Sequence, residues 1–285
     1  MQVLIAGGTG FIGGALRDYL TELSIDALVL TRKATESFHV AWSPEHKTCE
    51  IQQLRGVTHV INLTGAGIAE KRWTPHRKKE LMDSRIKSTA YLHYLTQEHC
   101  PKLMGYVGIS GVNAFGFSDE KIHLENDPFG SDFLSQLVAE WETAHRAFEG
   151  LPVFSVLRLG MVLSPRGGAY KKIAQPLRWG FGAVPGKGSQ FVPWIHLNDV
   201  VEVIHHGLGH SLGITHLIAE NSSMKEVTAA IAQKEHRKIY LPNIPPFMIR
   251  LIFGEMGDLL TESVRISNEK LLSFYELKHP TLSTL

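Results

Sequence analysis

The sequence predicts an α/β fold, a parallel sheet with helices on both faces, followed by a smaller α/β cap. Short apolar runs alternate with helix-length amphipathic segments through the first half of the 285 residues, as a sheet buried on both faces requires. A glycine cluster joins the first run to the first helix. The second half changes character, with Ser164 to Pro193 rich in glycine, proline and basic residues.

Val3 to Ala6 is the first strand, and Phe11 to Leu23 a helix with Ile12, Leu16, Tyr19, Leu20 and Leu23 on one face. Ala27 to Leu30 and Val57 to Leu63 are strands, and Trp73 to Glu98 holds a long helix. Leu103 to Ile109 is a strand, Phe133 to Phe148 a helix and Val153 to Leu157 a strand. Ser164 to Pro193 is expected to be a long irregular excursion. Asn198 to Leu208 is a helix with Asn198 or Asp199 near its N-cap, and Thr215 to Ala219 another strand. From Ser222 onward the pattern reads helix, short strand, helix, broken by Pro242, Pro245 and Pro246. Residues 1–160 are thus expected to form a nucleotide-binding core. Residues 161–285 mainly build a cap, with 195–220 returning to the sheet.

Composition narrows the function classes. Twenty-nine basic against 28 acidic residues leave +1, no electrostatic reason for a nucleic-acid or membrane partner. Cys49 and Cys100 form no CxxC pair, which argues against a disulfide framework or thiolate zinc site. The chain starts directly on a strand, with no cationic leader and no apolar run near membrane-spanning length, so a cytoplasmic protein is expected.

Gly7-Gly8-Thr9-Gly10-Phe11-Ile12-Gly13 follows an apolar strand and opens an apolar helix, the context of a dinucleotide fingerprint. Early glycines permit a tight turn and close approach of a pyrophosphate. Gly13 lets the helix pack on the sheet, and the helix N-terminus holds the anion. The second strand ends Leu30-Thr31-Arg32-Lys33, with Arg32 19 residues after Gly13. An NAD site would place Asp or Glu there; an arginine suits the 2′-phosphate of NADP.

With these residues placed, the chain resembles the short-chain dehydrogenase/reductase superfamily, extended-like branch. More narrowly, it is similar to atypical epimerase-family proteins of the nucleoside-diphosphate sugar epimerase-like group. The resemblance rests on the glycine turn, Thr31-Arg32-Lys33, Asn62-Leu63-Thr64-Gly65, Arg72-Trp73 and Asp83-Ser84-Arg85. It continues in Leu157 to Leu163, Gly167-Gly168-Ala169 and Pro193 to Asp199. It implies a Rossmann-type doubly wound sheet that binds NADP(H). It also implies that Leu63 and Thr64 lie against the adenosine side of the cofactor, that Gly65 belongs to the cofactor site, that Glu80 and Arg85 face the cofactor, and that Val162 lies near its nicotinamide end. Core packing is the alternative for Leu63 and Val162, and a surface salt bridge with Glu80 or Asp83 for Arg85.

The resemblance fails at one point. A working short-chain dehydrogenase needs Tyr with Lys four residues later. None of the seven tyrosines, at 19, 91, 94, 106, 170, 240 and 275, has it. The expected places fall near Leu134 and Val138, both apolar. Ser110 stands near the place of the catalytic serine, and His196 has a pKa suited to acid–base work. These two are the candidate catalytic residues, with strand-end capping and a structural histidine as their alternatives.

Tyr170 and Lys171 are adjacent and would point apart in an extended loop. Arg166, Lys171, Lys172, Arg178 and Lys187, interleaved with Tyr170, Trp179 and Phe181, make a basic, aromatic lip suited to an anionic ligand. His205, His206 and His210 lack the HExxH pattern, so no metal site is expected. The sequence therefore points to an NADP(H)-binding oxidoreductase or epimerase-like protein acting on a small molecule. A non-catalytic NADPH-binding protein and an ordinary nucleotide-sugar epimerase or dehydratase are the alternatives.

Overall fold

The computed structural model describes residues 1–285. The strands are β1 (Gln2–Ala6), β2 (Asp26–Thr31), β3 (His39–Ser43), β4 (Thr48–Cys49), β5 (His59–Asn62), β6 (Gly105–Gly111), β7 (Ile122–His123), β8 (Val153–Leu159), β9 (Met161–Ser164), β10 (Phe191–His196), β11 (Gly213–Leu217), β12 (Glu220–Ser223) and β13 (Arg265–Ile266). The helices are α1 (Phe11–Glu22), α2 (Pro75–His99), α3 (Phe133–His145), α4 (Gly168–Arg178), α5 (Leu197–Gly209), α6 (Met224–Lys234), α7 (Pro246–Phe253), α8 (Asp258–Thr261) and α9 (Glu269–Leu272). None is long and apolar enough to cross a membrane.

Eight strands form one sheet in the order β11-β8-β6-β5-β1-β2-β3-β4, parallel except for the short edge strand β4. The chain runs outward from β1 through β2 and β3, then starts again on the other side at β5. The crevice between β1 and β5 is the switch point where such sheets bind ligands. Successive residues of β1 serve opposite faces. Val3 and Ile5 pack with Leu16 and Leu20 of α1 and Val200 and Ile204 of α5. Leu4 and Ala6 join Leu92 and Leu95 of α2 on the other face. That double burial explains why the strands read as continuous apolar runs.

A second sheet, β12-β10-β9, is covered by α4 and α6 through Tyr170, Leu177, Trp194, Val227 and Ile231. Here the structure corrects the expected irregular excursion. Ser164 to Pro193 contains β9's end, α4 and the first half of β10, and α4 buries Tyr170, Ala174 and Leu177 along one stripe. Pro176 falls in its last turns, where its ring removes one intrahelical N–H and the helix ends two residues later. Two other readings also change. His196, not Asn198 or Asp199, caps α5, with Asn198 N–H donating to its Nδ1 at 3.2 Å. Pro245 and Pro246 start α7 rather than break a helix, since proline is pre-organised for a first helical turn.

Asp199, freed from capping, is fully buried and holds the C-terminal segment. Its carboxylate accepts from the Tyr275 hydroxyl at 3.0 Å, Lys278 N–H at 2.8 Å and His279 N–H at 3.1 Å. Asp199→Ala leaves these donors without an acceptor and should cost about 2–4 kcal/mol in urea unfolding. Hydrogen exchange at residues 275–285 should rise far more than elsewhere; unchanged protection there would contradict this anchoring role.

Candidate nucleotide and active site

The β1–α1 turn is built by contacts that leave no room for side chains. Gly7 has φ +83°, and a Cβ on it would stand 2.6 Å from the Leu63 carbonyl oxygen. A Cβ on Gly13 would stand 2.4 Å from the Gly7 carbonyl oxygen, and one on Gly8 2.8 Å from a Val29 methyl. Gly10 differs, since a Cβ there meets only the Gly7 carbonyl oxygen, at 3.3 Å. Its bareness keeps open the space before α1, whose N-terminus no side chain caps. Free N–H groups and the positive helix end suit a phosphate there. Thr9 lies exposed on this turn, and Ile12 packs into the core. The Phe11 ring rests on the turn into α4, where a Cβ on Gly168 would stand 2.6 Å from the ring.

At the end of β2, Thr31 is buried and its Oγ1 accepts from Lys33 N–H at 3.3 Å. Arg32 is exposed and joins no ion pair. At the end of β5, Thr64 is held by Asn62, whose Oδ1 accepts from Thr64 N–H at 3.1 Å and Oγ1 at 2.6 Å. Asn62 Nδ2 donates to Thr89 Oγ1 at 2.9 Å and to the Tyr106 hydroxyl at 3.0 Å. Tyr106 in turn donates to His145 Nδ1 at 2.5 Å, and His145 Nε2–H donates to the Ile109 carbonyl at 3.0 Å. Complete burial pushes His145 down to about 4, so the ring is neutral and has the lone pair that Tyr106 needs. Val162, on β9, pairs with Ile195 and packs against the main core.

Arg85 enters this region from α2 with 7% of its surface exposed. Its Nη1 donates to the Leu81 carbonyl at 3.1 Å, and its Nε has no partner. The guanidinium lies 4.8 Å from the Trp141 ring centre, and a Cβ on Gly65 would stand 3.0 Å from its central carbon. The surface salt bridge weighed for it does not form. Glu80, half exposed, pairs with Arg77 at 2.8 Å, and Asp83 pairs with Lys79 and Lys87, each at 2.9 Å. Burial and the nearby Arg77 charge lower Arg85 to about 10, so it stays cationic at neutral pH.

Ser110 is buried at the end of β6, and its hydroxyl donates to Glu142 Oε1 at 2.8 Å. Arg158 grips the same carboxylate through Nε at 2.7 Å and Nη2 at 2.8 Å. Arg158 Nη1 also donates to the Glu125 carbonyl at 2.8 Å and lies 3.3 Å from His216 Nε2. Ser110, Arg158 and His216 stand side by side on three neighbouring strands. Leu134 and Val138 are buried on α3, with Glu142 one turn further along the same side. Neither Glu142 nor Arg158 was singled out as a site residue. The sequence clue was a carboxylate continuing an apolar i, i+4 stripe, since a buried charge demands a partner.

The structure does not bring His196 to Ser110. His196 caps α5 and packs on His279 at 3.7 Å between ring centres, and burial pushes it down to about 4. Within 4.8 Å His196, Asp199 and His279 offer three ligand atoms, but Asp199 is already engaged by the C-terminal segment. Tyr170 is likewise no lip residue: it is fully buried, and its hydroxyl donates to Glu235 at 2.9 Å. Arg178 chelates the same Glu235, whereas Trp179 and Phe181 are exposed.

Residues 3–216 match the NAD dependent epimerase/dehydratase family, and residues 244–283 match a domain of unknown function, DUF1731. The chain is 30% identical over 294 residues to the epimerase family protein SDR39U1 of Mus musculus, covering 99% of this chain and 97% of that one. It is 33% identical over 261 residues to an epimerase family protein of Mycobacterium bovis, covering 90% and 86% of the two. The crystal structure of human epimerase family protein SDR39U1 (isoform 2) with NADPH superposes with a TM-score of 0.89 at 28% identity, covering 100% of this chain and 97% of that one. A nucleoside-diphosphate sugar epimerase from Corynebacterium glutamicum gives a TM-score of 0.79 at 20% identity, covering 99% and 56%, a likeness of fold.

The neutral histidines make stability acid-sensitive. His145 and His196 are each held near 4 in the fold, against an ordinary value of 6.5. Between those values the unfolded chain binds the extra protons, so stability rises with pH. Their contribution is complete above pH 6.5 and drains away as pH falls toward 4. Urea midpoints should fall through that window; a profile flat across it would contradict the neutral assignment.

Proposed function

The chain belongs to the NAD dependent epimerase/dehydratase family, and on that premise we propose that it is an NADP(H)-binding oxidoreductase or epimerase-like protein acting without a Tyr/Lys pair. The observation that carries this reading is the unpaired, exposed Arg32 at the end of β2, combined with a glycine turn whose outer side is open. The relative from human, similar over the whole chain, was crystallised with NADPH, which supports a nicotinamide cofactor here too.

The residues fit the group. Gly10 and the first N–H groups of α1 would hold the pyrophosphate, and Arg32 would hold the 2′-phosphate. Leu63, Thr64 and Gly65 would lie along the adenosine side, and Val162 would lie near the nicotinamide end. Bound there, the cofactor supplies or accepts a hydride. Ser110 would orient a reacting hydroxyl by accepting from it, because its own O–H is given to Glu142, which Arg158 holds in place. His196, committed to the α5 cap, is the weaker candidate for the proton donor.

Arg32→Asp replaces attraction for a phosphate dianion with repulsion. NADPH affinity should drop at least about tenfold, since about 1.4 kcal/mol suffices, while NADH affinity changes much less. Equal losses for the two cofactors by calorimetry would sink the NADP assignment. Gly10→Val should fold normally, because a Cβ there meets only one atom, at 3.3 Å, yet it should abolish cofactor binding. Normal NADPH binding by this variant would reduce the fingerprint to a plain turn.

A further inference from the structure

The C-terminal half exposes apolar side chains that no part of the chain covers. α7 buries only Ile249, while Phe247, Met248, Leu251 and Ile252 share its outer arc, between 44% and 76% exposed. The segment before α7 runs beside residues 182–184. The Gly182 carbonyl accepts from Tyr240 and Leu241 N–H, and the Val184 carbonyl accepts from Ile244 N–H. This pairing brings Phe181 and nearby Trp179, both about two-thirds exposed, up to Tyr240 and Leu241, which are exposed as well. Soluble proteins rarely leave so much adjoining apolar surface bare unless something docks on it.

The charges nearby decide what docks. Residues 165–191 hold Arg166, Lys171, Lys172, Arg178 and Lys187, and residues 236–253 hold Arg237, Lys238 and Arg250. Neither stretch contains Asp or Glu. Eight of the 29 basic residues thus fall within 45 positions, and the other 240 carry 21 basic against 28 acidic. The net charge of +1 hides this asymmetry. Arg178 is neutralised by Glu235 and Arg250 by Asp258. Lys187, Arg237 and Lys238 are exposed and form no ion pair. Asn243 Nδ2 donates to the Lys187 carbonyl at 2.8 Å, which ties that lysine to the same segment. A second copy of the chain would set these free cations against themselves. An anionic bilayer suits both features, since Trp, Phe and Leu enter the boundary of the acyl chains while Lys and Arg meet the headgroup phosphates. We propose that α7 and the Trp179–Phe181 segment form a docking face for an anionic lipid surface, with α7 lying in the plane of the interface and Lys187, Arg237 and Lys238 on the phosphates.

Flotation of the full chain with vesicles of phosphatidylcholine and phosphatidylglycerol in equal parts, against pure phosphatidylcholine, tests this. Partitioning onto the mixed vesicles should be at least about tenfold stronger, and added salt should remove most of that difference. Trp179 is the one exposed tryptophan of five. Emission should therefore move to shorter wavelength on binding, and Trp179→Phe should abolish the shift. Phe247→Ser with Leu251→Ser, on exposed positions where serine disturbs no packing, should weaken partitioning at least about tenfold. Arg237→Glu with Lys238→Glu should do the same. No binding to the mixed vesicles overturns the proposal, as does binding unchanged in either double variant, binding indifferent to salt, or a wavelength shift that survives Trp179→Phe. So does a parent that ignores vesicles but sediments as a dimer and becomes monomeric in Phe247→Ser with Leu251→Ser, which would give the face to a second copy.

Discussion

Backbone meets backbone where β1 turns into α1, and the rest of the cleft depends on that contact. The turn lies so close to the Leu63 carbonyl and to its own helix that Gly7 and Gly13 have no room for a Cβ. This closeness brings the α1 N-terminus to the crevice between β1 and β5, where the strand order reverses. A helix end placed there without a side-chain cap is an anion seat by geometry and electrostatics together. Phe11, the first residue of α1, carries the contact on to Gly167 and Gly168, so the second sheet and α4 are registered against the same turn.

Two buried polar systems hold the other walls. One runs from Thr64 through Asn62 and Tyr106 to His145, tying the β5 end to α2, β6 and α3. Every polar atom along it has a partner, which makes burial tolerable and the geometry unique. The other joins Ser110, Glu142 and Arg158 across β6, α3 and β8. Buried ion pairs contribute little net stability, but they resist rearrangement because separating them strands a charge. Arg85 stands apart from both systems as a buried cation with no internal counter-charge. The cleft thus combines finished scaffolding with unfinished electrostatics at Arg32 and Arg85.

The sheet and the glycine turn were legible because their physics is local. Strands covered on both faces must be apolar throughout, and a turn pressed against a neighbouring strand must be glycine. The second half was harder. Pro176 and the flanking glycines disguised α4, although Tyr170, Ala174 and Leu177 already marked its buried stripe. β3, β9, β10 and β12 are bracketed by residues that also suit loops, so local pattern does not mark them off as strands. His196 drew attention by its chemistry, but its use as a helix cap under His279 depends on the C-terminal segment folding back. Glu142 reaches Ser110 across 32 residues, and no short-range pattern shows that pairing.

A crystal structure of this chain grown with NADPH tests the central claim most directly. The 2′-phosphate is expected within hydrogen-bond reach of the Arg32 guanidinium, the pyrophosphate over Gly10, and the nicotinamide toward Val162. A cofactor bound with its 2′-phosphate turned away from Arg32, or lodged outside the crevice between β1 and β5, would contradict it.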